Sequence, residues 1–496
     1  MAIKGVITKR LYVKYTRCLR SARYEANDPG AAKLSLTVQQ RRQETRELAY
    51  LARALFPDGE VSGSDADDFK KLTLLSENAK NLLSQGKTVY DGVLLYKNFS
   101  CTFDIAVPCD EGVNFYVVKC ATSPSENYIR ELAYLAYVAK LAGVKVAKIS
   151  LIVTDQNYTR GKQIKESALL RKMDLTKRVM RYESKVQKNC EELALFVQKK
   201  DMPEAGLCNN CERQFGCEYF TACFGKWLNS PSLFTVHGVD SATRYKLYSE
   251  GIISIDDLKA NIGMLKPKVA NVIKLYEEKA VSVDKKELKK FLDGLWYPLC
   301  FLDFESLQSC IPKYRGVRPL ETVAFQYSLH VINKEGDAPV HYGYLAKEDE
   351  DARETIAKRL AEEIPQNACI LAFGKFLECK VLGQLAQAFP EVRAKLSTAR
   401  NNVRDIGAVF ASDTVYYGDS LGSRSLKTVY RCVDAKGAHG YEVGAVHNGA
   451  DAMATYLMLP YMSEQEKEER RKALWEYCKL DTLSMITILE DIKKRV

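Results

Sequence analysis

An α/β protein built on mixed sheets is what the sequence predicts, and three observations predict it. Strand-like runs at 89–95, 101–107 and 113–120, a helix over 125–142 and a strand at 144–154 give a β-β-β-α-β order. A second succession of strands and helices runs from residue 296 to the end. Between the two lies charged, helical sequence with no internal repeat and no low-complexity tract. The 496 residues are enough for two to four domains, each burying its own core.

Composition narrows the class. A hydrophobic content of 46% with 27% charged residues fits a globular chain, and no apolar run is long enough to span a bilayer. The opening Met1-Ala2-Ile3-Lys4-Gly5-Val6 lacks the apolar stretch of a secretory signal. The expectation is a cytoplasmic protein without membrane partners. Fifteen cysteines then favour thiols, metal ligands or small buried hydrophobes over disulfides. The net charge of +10 permits a polyanionic partner but is spread over the whole chain.

Taken in order, residues 1–55 read as helical and basic, with Arg10, Lys14, Arg17, Arg20 and Arg23 around Cys18. A helix over 41–56 stops at Pro57-Asp58-Gly59, and another over 67–85 is closed by Gly86. After the β-β-β-α-β segment, 166–198 is charged and helical, and 231–280 holds short helices around Gly238 and Gly251. A charged link at 284–293 leads to strands at 301–305, 321–332 and 340–345. A helix (349–364), a strand (369–373) and a helix (375–389) follow, then short elements around Asp405 and Leu426. Ser463 with Glu466 three residues on forms a capping box that starts the last helix.

The stretch Leu299-Cys300-Phe301-Leu302-Asp303-Phe304-Glu305-Ser306 carries chemistry. Alternate strand side chains share a face, so Asp303 and Glu305 project together from an apolar strand. Two such acids repel and resist desolvation unless a cation lies between them. The plain alternative is a strand end with both acids in water. On the last helix Tyr477 and Asp481 are four apart and share a face. The plain alternative for Asp481 is a half-exposed acid paired with Lys479 or an arginine.

Asp-x-Glu on a first strand, an acid some seventy residues later and Tyr-x-x-x-Asp on a last helix resemble the DnaQ-like exonucleases. The resemblance implies a ribonuclease H-like fold over 296–496. It also implies two Mg²⁺ or Mn²⁺ ions held by Asp303, Glu305, Glu378 and Asp481. Tyr477 would orient a water or the scissile phosphate, because Glu476 stands where the alternative histidine would be. Glu378, in Leu371-Ala372-Phe373-Gly374-Lys375-Phe376-Leu377-Glu378, fits the third acid, but the polar residue usual before it is absent. Asp405 is the rival or supplementary acid, and Glu378 can also be read as a solvated helix-surface residue. Phe301-Leu302-Asp303-Phe304-Glu305, Ile311-Pro312, Arg318-Pro319, Phe325-Gln326-Tyr327-Ser328 and Glu476-Tyr477-Cys478-Lys479-Leu480-Asp481-Thr482 together resemble an uncharacterised bacterial family. That family places a DnaQ-like domain after an iron–sulfur nuclease-like domain.

Cys208-x-x-Cys211-x-x-x-x-x-Cys217 offers three thiolates within ten residues, a spacing that favours a soft metal. One reading is zinc with Cys223 as fourth ligand. The triplet together with Cys18, in Tyr15-Thr16-Arg17-Cys18-Leu19-Arg20, resembles AddB-type and CRISPR-associated nucleases. That resemblance implies a 4Fe-4S cluster tying the N-terminal helix to residue 217, and it is the preferred reading.

The β-β-β-α segment resembles a PD-(D/E)XK core of the RecB-like kind. Asp104 matches the first acid, Lys119 the lysine and Tyr137 the helix tyrosine, but Val117 stands where the second acid belongs and Leu135 where a glutamine is usual. The expectation is a degenerate site in which Asp104 and Lys119 pair as a buried remnant. Glu47, on an earlier helix, is a candidate for residual metal binding. Val236-His237-Gly238-Val239-Asp240-Ser241-Ala242 weakly resembles a helix-hairpin-helix, but Asp240 would repel a phosphate, so a helical linker is expected. His237 reads as packed or solvated.

The expected organisation is a degenerate iron–sulfur PD-(D/E)XK-like domain over 1–228, a helical linker over 229–295 and an exonuclease domain over 296–496. The expected function is metal-dependent 3′-to-5′ exonuclease action by a two-metal mechanism, on DNA in preference to RNA. The alternative is a non-catalytic nucleic-acid-binding or scaffold protein with two decayed centres.

Overall fold

Alternation of apolar and polar residues puts the strands of this chain into two large mixed sheets, each in its own compact unit. In the computed structural model one unit comprises Met1–Gly225 with Ser309–Glu321, and the other Lys226–Gln308 with Thr322–Val496. The structure describes residues 3–199, 201–204, 206–207, 211, 217–438, 440–443 and 446–496. Among the described residues no helix is long and apolar enough to cross a membrane.

The first unit holds strands β1 (Ile7–Thr8), β2 (Glu60–Val61), β3 (Val89–Tyr96), β4 (Phe99–Cys109), β5 (Gly112–Val118), β6 (Val146–Thr154) and β7 (Leu170–Asp174). They lie in the order β2-β3-β4-β5-β6-β7, with β1 parallel to the start of β4. Its main helices are α1 (Leu36–Ala52), α2 (Phe69–Ser84) and α3 (Glu126–Leu141). Ser35, Asp68 and Ser125 cap them by accepting from the amide three residues on, which fixes each helix start. Ile129, Leu132, Leu135 and Val138 of α3 pack with Phe103, Phe115, Val117 and Leu151 in one core.

Three features differ from the sequence reading. The basic N-terminal segment begins with β1, a two-residue strand too short to leave a periodic signal. Within 166–198, expected as helix, β7 pairs antiparallel with β6. As the sheet's edge strand it leaves Arg171 and Lys172 exposed, and charge at an edge hides strand character while it blocks further pairing. Cys120 and Cys310 are joined as a disulfide where thiols were expected. Their Cα atoms stand 5.6 Å apart, inside the range a disulfide spans.

In the second unit β8 (Val281–Val283) pairs antiparallel with the strand Val415–Tyr417, while β9 (Leu299–Leu307), β10 (Val323–Ile332), β11 (Val340–Leu345), β12 (Cys369–Ala372) and β13 (Val403–Asp405) form a sheet ordered β11-β10-β9-β12-β13. The β9–β10 and β10–β11 pairs are antiparallel, and β12 runs parallel to both β9 and β13. Three helices matter for the site: α4 (Phe376–Ala388), α5 (Leu426–Val433) and α6 (Glu464–Lys493). The Ser463–Glu466 capping box that starts α6 is formed. The middle helices cluster with this unit, around a core of Leu233, Val236, Leu247, Leu258, Val269 and Ile273 that also takes in Tyr416. Asp240 caps the helix Ser241–Ser249 by accepting from Thr243 N. The linker carboxylate thus occupies the helix start that a hairpin motif would offer to a phosphate.

Candidate metal centre

β9 is the middle strand of its sheet, so its side chains are covered on both faces. Asp303 and Glu305, two residues apart, point to the same face. Glu305 is buried and Asp303 half-buried. Phe325 of β10 forms a bulge opposite this point, since Ala324 pairs with Ser306 and Gln326 with Glu305. A bulge of this kind re-aims the neighbouring side chains.

α6 supplies the facing side chains, and a polar network sets its rotation. Thr482 Oγ1 bonds Ser328 Oγ at 2.7 Å and His330 Nδ1 at 2.8 Å, while Gln326 Nε2 donates to Leu474 O at 2.8 Å. Ser328 is the cross-strand partner of Asp303. The helix is therefore pinned to the rung that carries the acid, with Asp481 next to the pin. The Cys478 thiol, one helical turn earlier, donates to Asp303 Oδ2 at 3.4 Å.

The result is a convergence of carboxylates. Oxygens of Asp303, Glu305 and Asp481 all lie within 4.8 Å of one another. Burial, then the neighbouring acids Asp481, Glu305 and Glu378, push the Asp303 carboxyl well above its usual range. Burial and Asp481 push Glu305 up to about 8. Asp481 rises to about 6 through burial, held back by the Tyr441 hydroxyl, Lys427 and the Tyr477 hydroxyl. Buried like charges behave so when no cation balances them.

Glu378 lies in the first turn of α4 and is 4% exposed. Its carboxyl is pushed up to about 8, chiefly by burial, and its Oε2 is buried with no hydrogen-bond partner. It stands outside the tight trio yet raises both Asp303 and Glu305. Reading it as a solvated surface residue is therefore corrected: α4 turns it inward. Asp405 does something else. Its carboxylate accepts from Gly374 N at 2.9 Å and Lys375 N at 3.3 Å, capping the amides at the start of α4. Gly374 has φ +85°, a conformation glycine takes without penalty, and this explains why no polar side chain stands there.

Two side chains in this centre escaped the sequence reading. Lys427, in the first turn of α5, places Nζ 4.2 Å from the Tyr477 ring centroid and 4.9 Å from that of Tyr441. It donates to His447 O and lowers the carboxyls of Glu305 and Asp481. The Tyr441 hydroxyl donates to Asp481 Oδ1 at 2.6 Å and bonds Ser484 Oγ at 3.0 Å. The Tyr477 phenol is held protonated by burial and by Asp481, Glu305 and Asp303. The oxygen donor set, the unpartnered Glu378 Oε2 and the suppressed acidity fit hard divalent cations such as Mg²⁺ or Mn²⁺.

In the first unit the residues expected to form a degenerate site are arranged differently from the expectation. Lys119 Nζ pairs with Glu131 Oε2 of α3 at 2.5 Å, not with Asp104. Asp104 Oδ2 accepts from Val118 N at 2.7 Å. Val117 is in the apolar core, and Tyr137 packs against it. Glu131 sits four residues before Leu135 on the same helix face, so the helix period was the signal that could have found it. Glu47 accepts from Gln43 at 3.1 Å, and the buried acid of α1 is Glu44, one residue short of a turn earlier.

Of the cysteine cluster, Cys208 lies outside the described residues. Cys18 caps the helix Leu19–Asn27, its sulfur accepting from Ser21 N at 3.5 Å. Cys211, Cys217 and Cys223 are half-buried. Burial pushes the Cys223 thiol up to about 11, with further upward contributions from Cys217 and Cys18. The segment after Cys217 is tied to the N-terminal helices by ion pairs. Arg10 reaches Glu218 at 2.6 Å and Glu25 at 2.8 Å, Lys14 pairs with Glu218, and the Tyr219 hydroxyl donates to Glu25 at 2.8 Å.

Residues 300–425 match a protein family described as a domain of unknown function, DUF2779. The matched stretch contains Asp303, Glu305, Glu378 and Asp405 and stops before Lys427, Tyr441, Tyr477 and Asp481. Comparison with curated proteins and with solved structures finds no match.

Proposed function

We propose that the second unit is a metal-dependent nuclease that hydrolyses phosphodiester bonds of DNA or RNA, working as a 3′-to-5′ exonuclease. One observation carries the reading: Asp303, Glu305 and Asp481 bring carboxylate oxygens within 4.8 Å of one another inside the protein, with the unpartnered Glu378 Oε2 nearby. Such a set is unstable as bare anions and suits hard cations. Two Mg²⁺ or Mn²⁺ ions bound there would activate a water and neutralise charge on the departing 3′ oxygen. Asp303, Glu305, Glu378 and Asp481 would hold them. The Tyr477 phenol, protonated across the working range, offers a hydrogen-bond donor to the attacking water or the scissile phosphate. Lys427 presents a fixed positive charge toward the same space, where negative charge develops on the phosphoryl oxygens.

The first unit contributes no second nuclease centre in this reading. Val117 gives no ligand, and Lys119 is engaged by Glu131. Its assigned part is to bind nucleic acid or to act as a scaffold, with a 4Fe-4S cluster at Cys18, Cys208, Cys211 and Cys217, or zinc at Cys208, Cys211 and Cys217 with Cys223 as fourth ligand. The test is purified protein with end-labelled single-stranded and duplex DNA and RNA plus Mn²⁺. Shortening from the 3′ end that disappears in Asp303→Asn, with an unchanged circular dichroism spectrum, supports the assignment. No cleavage of any substrate decides for the non-catalytic alternative, and full turnover in Asp303→Asn removes the acid centre as the source of cleavage.

A further inference from the structure

A second trio of converging donors lies in the first unit, independent of the acid centre. Glu44 of α1, Cys120 just past β5 and Cys310 of the 309–321 segment bring Oε and Sγ atoms within 4.8 Å of one another. Glu44 is 7% exposed and Cys310 fully buried. The two ends of the glutamate are treated differently. Oε1 accepts from Cys310 N at 2.6 Å, from Ile311 N at 3.4 Å and from the Ser309 hydroxyl. Oε2 faces Cys120 Sγ at 3.1 Å and takes a bond from Gln40 Nε2 at 3.1 Å.

Oε1 is satisfied by the 309–311 segment, but Oε2, the end that faces the sulfurs, is not served by a disulfide. Once Cys120 and Cys310 are oxidised, neither sulfur carries a proton to give, and Oε2 is left to Gln40 alone. Among the described residues no lysine or arginine forms an ion pair with Glu44. A buried carboxylate oxygen aimed at a sulfur pair suits a cation held between them. Two thiolates and one carboxylate are the donors of a borderline divalent ion, with a fourth position left for water.

We infer that reduced Cys120 and Cys310 with Glu44 Oε2 form a Zn²⁺ site that the disulfide closes. Reduction adds two electrons and two protons to the S–S bond and gives two thiols: a dithiol supplies both and becomes a disulfide, whereas a phosphine supplies the electrons, water the protons, and the phosphine leaves as its oxide. Zn²⁺ binding then releases those two protons to water as the thiolates coordinate. The ion fastens the 309–321 segment to α1 and to the end of β5, and oxidation exchanges that fastening for a covalent one.

The test uses the full chain, reduced with a phosphine and freed of metal under anaerobic conditions. Alkylation of Cys120 is followed by peptide mass spectrometry with and without Zn²⁺, and bound Zn²⁺ is counted in wild type and Glu44→Gln. Zn²⁺ should slow modification of Cys120 at least tenfold, and Glu44→Gln should lose that protection and one bound equivalent. Treatment of wild type with a disulfide-forming oxidant should remove the same equivalent, which reduction restores. Zn²⁺-independent alkylation of Cys120 in the folded wild type, or equal stoichiometry in Glu44→Gln, overturns the inference. Wild-type protection needs no variant to fold, so the inference stays testable if Glu44→Gln is unstable.

Discussion

Lys427 Nζ stands 4.2 Å from the centroid of the Tyr477 ring and lowers the carboxyls of both Glu305 and Asp481. It sets a positive charge beside the clustered acids. Replacing it with methionine keeps the bulk and removes the charge. Glu305 and Asp481 then hold protons to higher pH, and charge on the transition state loses a fixed counter-charge. Lys427→Met should cut the Mn²⁺-dependent rate about 100-fold and move the acid limb of the rate–pH profile upward. Initial rates on an end-labelled oligonucleotide across pH 6–9 measure both. An unshifted limb at normal rate would place Lys427 outside the chemistry.

The same acids make stability depend on pH in a set direction. Asp303, Glu305 and Glu378 all have folded values above their usual ones, Glu305 and Glu378 at about 8 and Asp481 at about 6. A carboxyl raised by folding stabilises below its unfolded value, near 4, and that contribution is lost as pH rises through the folded value. Chelator-treated protein should therefore melt progressively lower between about pH 5 and 8. Mn²⁺ displaces the protons, so the rise in melting temperature it causes should grow over the same interval. Scanning calorimetry with chelator and with Mn²⁺ tests both slopes. A metal effect larger at pH 5.5 than at pH 8 would contradict the assignment of these acids as ligands.

Much of the acid centre in the second unit could be read from spacing alone. An offset of two between the acids on a strand, and of four between Tyr477 and Asp481 on a helix, fixes a shared face whatever the rest of the chain does. Glu378 was harder, because a first-turn glutamate faces inward or outward according to how its helix is launched. That launch depends on Gly374 at positive φ and on Asp405, contributed by a parallel strand. Lys427 and Tyr441 arrive from segments with no chemical motif of their own, so only the tertiary fold brings them in. Cys120 and Cys310 are 190 residues apart, and no local pattern can announce such a pair.

Tyr441 tests how far support around a ligand matters. Its hydroxyl donates to Asp481 Oδ1 at 2.6 Å and holds that carboxyl down. Tyr441→Phe removes one oxygen and leaves the ring that packs beside Tyr477, at 6.1 Å between centroids. Partners behind a metal ligand are worth about ten- to a hundredfold in affinity. The Mn²⁺ concentration for half-maximal activity should rise about tenfold, with the maximal rate at saturating Mn²⁺ changed much less. Metal titration of activity, alongside Mn²⁺ binding followed by electron paramagnetic resonance, separates the two effects. A lowered maximal rate at unchanged affinity would instead make Tyr441 a participant in the reaction.

Lys119 in the first unit forms an ion pair with Glu131 of α3. Both side chains are about one-fifth exposed, and the pair is formed at 2.5 Å. Removing Glu131 leaves a largely buried ammonium beside the Tyr128 ring. A fully buried broken pair costs about 3–5 kcal/mol, and the partial exposure here reduces that to about 2 kcal/mol. Glu131→Gln should therefore lower the urea midpoint of the first unit's transition while leaving Mn²⁺-dependent cleavage by the intact chain unchanged. Val117→Asp puts an uncompensated acid into the core. It should destabilise more than Glu131→Gln and generate no cleavage in an Asp303→Asn, Asp481→Asn background. The check is equilibrium unfolding of each variant beside the end-label assay. Cleavage gained by Val117→Asp in that background would show that the first unit retains a working site one residue from completion.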